Sequence, residues 1–99
     1  MKIELLGIQP GDQPANWQAR LLIGGRSGTL IVTFIKLDGK DVAVSTTIES
    51  DELYRLLEGS REERAVVDAV RAFRAGRDVA LPQVIDVEGI YLHWRRAGE

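Results

Sequence analysis

The stretch from Thr29 to Leu37, TLIVTFIKL, constrains the fold of this chain more than any other segment. Its β-branched residues favour a strand, and the side chains of a strand alternate between two faces. One face carries Leu30, Val32 and Phe34, and the other carries Ile31, Thr33 and Ile35. The sequence therefore predicts a sheet strand that is apolar on both sides.

Three further segments complete a predicted antiparallel β-meander of four strands, at residues 2–8, 17–23 and 42–47. The GGRSG segment at residues 24–28 has the glycines and polar groups of a phosphate-binding loop. Such loops lead into a helix, whereas this one leads into a strand, so we interpret it as a hairpin turn. Asp38-Gly39 predicts a second tight turn with positive φ at both residues.

The second half of the chain changes to helical periodicity. Ser50 is a predicted N-cap for a short helix whose Leu53, Leu56 and Leu57 share one face, and Gly59 ends that helix.

A second helix is predicted after Ser60, because Glu63 three residues later completes a capping box that reaches back to the cap's own amide. Its apolar face is Val66, Ala69, Val70 and Phe73, and Gly76 ends it.

After Pro82 the period returns to two, which predicts one or two C-terminal strands within residues 83–87 and 90–95 that rejoin the sheet. The whole chain of 99 residues fits one domain. The predicted fold class is α+β: an antiparallel meander with two consecutive helices on one face.

Two helices cover only one face of such a sheet, so the apolar residues on the second face need another cover. We expect a two-fold homodimer in which Ile31 and Ile35 lie at the interface. The alternative is that the sheet curls until residues 83–95 cover that face. The sequence leaves both open.

Composition limits the classes of function. The formal net charge of −2 gives no overall attraction to phosphate backbones or anionic lipid, and the absence of cysteine excludes disulfides and thiolate chemistry. The longest apolar run is too short to span a bilayer. A cytoplasmic protein that does not enter a membrane is the expectation, and no cofactor is indicated.

No catalytic or metal-binding set converges in the sequence, which favours a non-enzyme. The single histidine, His93, would have to serve any serine nucleophile, and no serine lies in a nucleophile elbow. Asp86, Glu88 and His93 could approach one another if the chain folds back at Gly89, but they would form an incomplete metal site.

Binding candidates fall in two groups. Arg64, Arg71 and Arg74 lie with Arg61 within about a third of the circumference of the second helix, opposite its apolar face, and Asp68 is close enough to pair with Arg64 or Arg71. On a C-terminal strand, Tyr91, His93 and Arg95 would form a polar and aromatic row.

These features favour a small non-enzymatic protein-interaction module, such as an inhibitor, an immunity-type protein or a regulatory partner. Segregated charge supports this prediction, since residues 38–58 are mainly acidic and residues 61–77 mainly basic. The first alternative is a nucleic-acid-binding domain that uses the helix arginines and the C-terminal row. The second is a small-molecule-binding or hydrolytic domain.

Overall fold

A computed structural model describes residues 2–86 of the chain. Five antiparallel strands form one sheet in the order β4-β3-β2-β1-β5, with two helices between β4 and β5. The elements are β1 (Ile3–Pro10), β2 (Asn16–Ile23), β3 (Arg26–Leu37), β4 (Lys40–Ile48), α1 (Asp51–Leu57), α2 (Arg61–Arg74) and β5 (Gln83–Ile85). The predicted α+β fold, with a four-strand meander, two helices and a C-terminal strand that rejoins the sheet, is confirmed.

Both predicted hairpin turns are present, and one is shorter than expected. Gly24 and Gly25 have φ values of 55° and 80° and form the whole turn between β2 and β3, so residues 26–28 belong to β3. Asp38 and Gly39 have φ values of 52° and 76°, as predicted. A turn without side-chain strain needs glycine or aspartate at such positions.

The helices cover one face of the sheet. Leu30, Val32 and Phe34 are buried on that face, in a core shared with α1 and α2. Helix α2 packs on β1, β2 and β5, while α1 lies beside β4. Ile31 and Ile35 point to the opposite face, which we call the outer face, and Ile35 is exposed.

Strand β5 extends the sheet instead of covering its outer face. It pairs with β1 through Ile3↔Ile85 and Leu5↔Gln83, at the edge far from β4. The idea that residues 83–95 fold across the outer face is therefore wrong for residues 83–85. The predicted row of Tyr91, His93 and Arg95, and the second C-terminal strand, lie outside the described residues.

Both serine caps are confirmed. The hydroxyl of Ser50 accepts a hydrogen bond from the amide of Leu53 at 3.3 Å, and that of Ser60 accepts one from the amide of Glu63 at 3.1 Å. The return contact of the capping box differs from the prediction, because the Glu63 carboxylate accepts from the amide of Gly59 at 3.3 Å. The amide of Ser60 donates instead to the carbonyl of Leu57.

Helix α2 ends in a Schellman motif. The amide of Gly76 donates to the carbonyl of Phe73, and the amide of Arg77 donates to that of Ala72, both at 3.0 Å. Gly76 has a φ of 82°, which a residue with a side chain rarely adopts. This motif fixes the backbone of Arg77 at the end of the helix.

Three local features depart from the sequence-based expectations. Leu56 is exposed, unlike its neighbours Leu53 and Leu57. The β3–β4 pairing contains a bulge, in which Val44 is the extra residue between Ala43 and Ser45. A similar irregularity at Leu6 interrupts the β1–β2 pairing.

Candidate interaction site

Two polar contacts hold the ends of α2 to the edge strand β4. Near the N-terminus of the helix, the hydroxyl of Thr46 donates to the Glu63 carboxylate at 3.0 Å. Near its C-terminus, Nη1 of Arg74 lies 2.5 Å from Oδ1 of Asp41. Because both ends are held, the C-terminal half of α2 lies close to the β3–β4 hairpin.

Asp41 is the centre of the second contact. Its carboxylate also has Nζ of Lys36 at 3.8 Å. The hydrogen bond from Arg74 lowers the pKa of Asp41, burial opposes that change, and the charges of Arg74, Lys36 and Arg71 add to it. The carboxylate therefore stays ionised at pH values below the usual aspartate pKa.

Arg74 is held on a second side by an aromatic ring. Its guanidinium carbon lies 5.2 Å from the centroid of the Phe34 ring, within the range of a cation–π contact. Phe34 is fully buried in β3. Arg74 therefore joins the helix to the sheet, whereas the helical spacing predicted a position opposite the apolar face of the helix.

A cleft of about 550 Å³ opens beside this contact, between the C-terminal half of α2 and the start of β4. It is lined by Lys40, Asp41, Asp68, Arg71, Ala72, Ala75 and Arg77. Strand β4 is the last strand of the sheet, so the cleft lies at a sheet edge.

The charges of the cleft are not balanced. Asp41 is paired with Arg74, and Asp68 accepts a hydrogen bond from Nη1 of Arg71 at 2.9 Å, as the helical spacing predicted. Lys40 and Arg77 have no ion pair within residues 2–86. The lining has three cations and two carboxylates, and Arg74 beside it pairs with one of those carboxylates, so Lys40 and Arg77 remain as two cations without an ion pair in the described chain.

The β3–β4 hairpin also exposes a group of apolar side chains. Among the described residues, six large hydrophobic side chains are exposed, and three of them, Ile35, Leu37 and Val44, belong to this hairpin. Val42 pairs with Ile35 across the strands and is partly exposed. We call Ile35, Leu37, Val42 and Val44 the hairpin patch.

The outer edge of β4 adds backbone groups to the same region. Within the described chain no strand lies on that side of β4, so part of its amides and carbonyls point away from the sheet. The bulge at Val44 divides this edge into two short segments. One of them, Lys40–Ala43, borders the cleft.

The predicted binding residues are only partly brought together. Arg71 lines the cleft, and Arg74 pairs with Asp41 of its lining, whereas Arg64 is exposed two turns earlier on α2 and does not line it. Sequence reasoning missed Lys40 and Arg77. Lys40 directly follows the predicted Asp38-Gly39 turn, and Arg77 directly follows Gly76, the predicted end of the second helix. These positions were the sequence signal that could have placed two cations at the ends of elements.

The described residues contain no group of three or more potential metal ligands. Glu88 and His93, proposed with Asp86 as an incomplete metal site, lie outside them. No helix within residues 2–86 is long and apolar enough to cross a membrane.

Comparison of the chain with protein-family models, with curated proteins and with solved structures found no match.

Proposed function

We propose that this chain is a non-enzymatic protein-interaction module that docks its partner on the β3–β4 hairpin. The observation that carries the proposal is the concentration of exposed apolar side chains in the hairpin patch, next to a charged cleft. Protein interfaces commonly combine an apolar centre with a polar and charged rim. An inhibitor, an immunity-type protein or a regulatory partner would each use such a surface.

The exposed side chains of the patch are costly in water. Burial of apolar surface stabilises a protein or a complex by about 25 cal/mol for each Å², and exposed apolar surface lacks this stabilisation. Among residues 2–86, Leu37 is the most exposed of the large hydrophobic side chains, at 57%. It lies at the end of the hairpin, where no other part of the described chain covers it. A partner that buries this end gains the energy that the isolated chain lacks.

The edge of β4 supports the same location. A partner segment in extended conformation can hydrogen-bond to an open strand edge, and its side chains then reach pockets beside that edge. Here the open segment Lys40–Ala43 belongs to both surfaces, because Val42 is part of the hairpin patch while Lys40 and Asp41 line the cleft. The bulge limits such pairing to a short segment, so the patch supplies the main contact.

Self-association is a second candidate, favoured by the outer face. Ile31 and Ile35 point away from the helices, as the strand period predicted, and Ile35 is exposed. Two copies related by a two-fold axis could cover this face with the same residues. In this candidate Ile31 contributes to the interface, whereas the hairpin patch does not include it.

The geometry gives less support to the alternatives. The paired state of Arg71 and Arg74 removes two of the cations that a nucleic-acid interface on α2 would need. The hydrolytic alternative depends on His93, outside the described residues. A cytoplasmic location remains a prediction that fits this function.

Affinity purification with matched variants tests the proposal. Leu37→Glu places a charge in the hairpin patch, and Leu56→Glu places the same charge on α1 at nearly equal exposure, 57% against 55%. We expect a protein that is enriched by the unmodified chain and by Leu56→Glu and lost with Leu37→Glu.

Quantitative mass spectrometry reads out the enrichment, and circular dichroism checks that both variants fold. The proposal fails if every enriched protein is retained by Leu37→Glu, or if both variants lose the same proteins equally.

A further inference from the structure

We propose that the cleft between α2 and β4 binds carboxylate side chains of an acidic protein segment. This inference rests on the proposed function, because the segment would belong to the partner that docks on the adjacent hairpin patch. It names the chemistry of that partner: one or more Asp or Glu residues flanking an apolar contact.

The unpaired cations carry the argument. Lys40 stands on the strand side of the cleft and Arg77 on the helix side, and neither has an ion pair within the described chain. Arg71 also lines the cleft; its Nη1 is paired with Asp68, but its Nε is buried without a hydrogen-bond partner among residues 2–86. A carboxylate in the cleft would face positive charge from both walls.

The nearby negative charges do not cancel this field. Asp41 and Asp68 are each held by an arginine, while Asp38 and Asp78 do not line the cleft. The C-terminus of α2 carries about half a negative charge from the helix dipole. Lys40 and Arg77, the two lining cations without an ion pair in residues 2–86, outweigh that half charge, so the cleft remains attractive to anions.

The size and shape of the site favour side chains of a peptide over a nucleic-acid backbone. A volume of about 550 Å³ lies within the usual range for small ligand sites. A nucleic-acid backbone presents regularly spaced phosphates and needs a long row of cations. Here the unpaired cations are confined to one cleft, at the open segment Lys40–Ala43 where an extended partner chain could lie.

Nuclear magnetic resonance titration with defined probes tests the site. We expect an acetylated oligoglutamate to shift the amide resonances of Lys40, Arg71 and Arg77, and an oligoglutamine of the same length to leave them unchanged. Inorganic phosphate and a short DNA duplex are the other arms. Binding of either that is tighter than oligoglutamate binding would contradict the assignment to an acidic protein segment.

Charge-removing variants provide the control. Lys40→Gln and Arg77→Gln should each weaken oligoglutamate binding about threefold, and together about tenfold, as expected for partly exposed ion pairs. Arg55→Gln removes the same charge from an exposed position on α1. It should change binding by less than about twofold, because distant charges are screened. Equal losses in all variants, or no shifts in the cleft, would overturn the inference.

The two proposals fail separately. A partner captured through Leu37 whose binding is unaffected by Lys40→Gln with Arg77→Gln would overturn the cleft assignment and leave the docking surface intact. Oligoglutamate binding in the cleft without any Leu37-dependent partner would support the site and contradict the proposed function.

Discussion

The two phenylalanines of the chain provide a graded test of how the helices are attached to the sheet. Phe34 in β3 is 1% exposed, whereas Phe73 near the end of α2 is only partly buried. Phe73 packs edge-on against Trp17, with ring centroids 5.9 Å apart and an interplanar angle of 71°. We therefore expect Phe73→Ala to be the milder of the two truncations.

The magnitudes follow from burial and from the ring contacts. A fully buried Phe→Ala costs about 3–5 kcal/mol, and the contact with Arg74 adds about 0.5–1 kcal/mol for Phe34. Partial burial reduces the Phe73 cost to about half, and the edge-on pair with Trp17 restores about 0.5–1.5 kcal/mol. The expected losses are about 3.5–6 kcal/mol for Phe34→Ala and about 2–4 kcal/mol for Phe73→Ala.

Urea denaturation followed by circular dichroism measures both losses. Total stabilities of about 5–15 kcal/mol leave room for Phe34→Ala to unfold the protein. In that case Phe34→Leu, which also removes the ring, takes the place of Phe34→Ala in the comparison. A Trp17→Leu variant tests the aromatic pair, since it should reduce the cost of Phe73→Ala by about 1 kcal/mol. A Phe73→Ala loss equal to that of Phe34→Ala, or no coupling to Trp17, would refute the reasoning.

Three further predictions concern a cap, an ion pair and self-association. Ser60→Ala should cost about 1 kcal/mol in urea denaturation, because the amide of Glu63 loses its acceptor, and a loss of zero would contradict the cap. Asp41 has a pKa lowered by Arg74, so its pair should stabilise the fold at pH values above the unfolded pKa of about 3.9 and lose that effect as the pH falls through the lower folded-state value. The difference in urea midpoint between the unmodified chain and Asp41→Asn should therefore shrink below about pH 4, and a difference that grows on acidification would contradict this sign. Sedimentation equilibrium should show a dimer that Ile31→Glu dissociates with its secondary structure intact, whereas a monomer at all concentrations would contradict two-fold pairing of the outer face.

Periodicity together with turn and cap residues was sufficient to predict the elements of the fold and its α+β class. Alternation in Thr29–Leu37 predicted which side chains of β3 meet the helices, and the structure buries Leu30, Val32 and Phe34 there. The caps at Ser50 and Ser60 were predictable because they depend on residues three positions apart. These features are local, so a single sequence contains the information needed to find them.

The cleft could not be predicted in the same way. Lys40 and Arg77 are distant in sequence and line one cleft because Arg74 holds the C-terminal half of α2 to Asp41 at the start of β4. The placement of β5 beside β1 is likewise set by tertiary packing. Val44 gave no signal of its bulge, since valine is an ordinary strand residue and no glycine marks the position.

The exposure of Leu56 shows a limit of helical periodicity in a short element. Leu53 and Leu57 are buried and lie four residues apart, so these two side chains are enough to pack α1 beside β4. A helix of seven residues presents only a narrow stripe to the sheet, and Leu56 falls at its margin.

Site-specific photo-crosslinking tests the central claim, that the β3–β4 hairpin is the docking surface, most directly. A photoreactive amino acid at position 37 replaces an exposed leucine of the hairpin patch, and the same amino acid at position 56 replaces a leucine of nearly equal exposure on α1. After illumination in the cells that make the protein, we expect a discrete adduct with another protein from position 37 and none from position 56. No adduct from position 37, or the same adduct from both positions, would contradict the account.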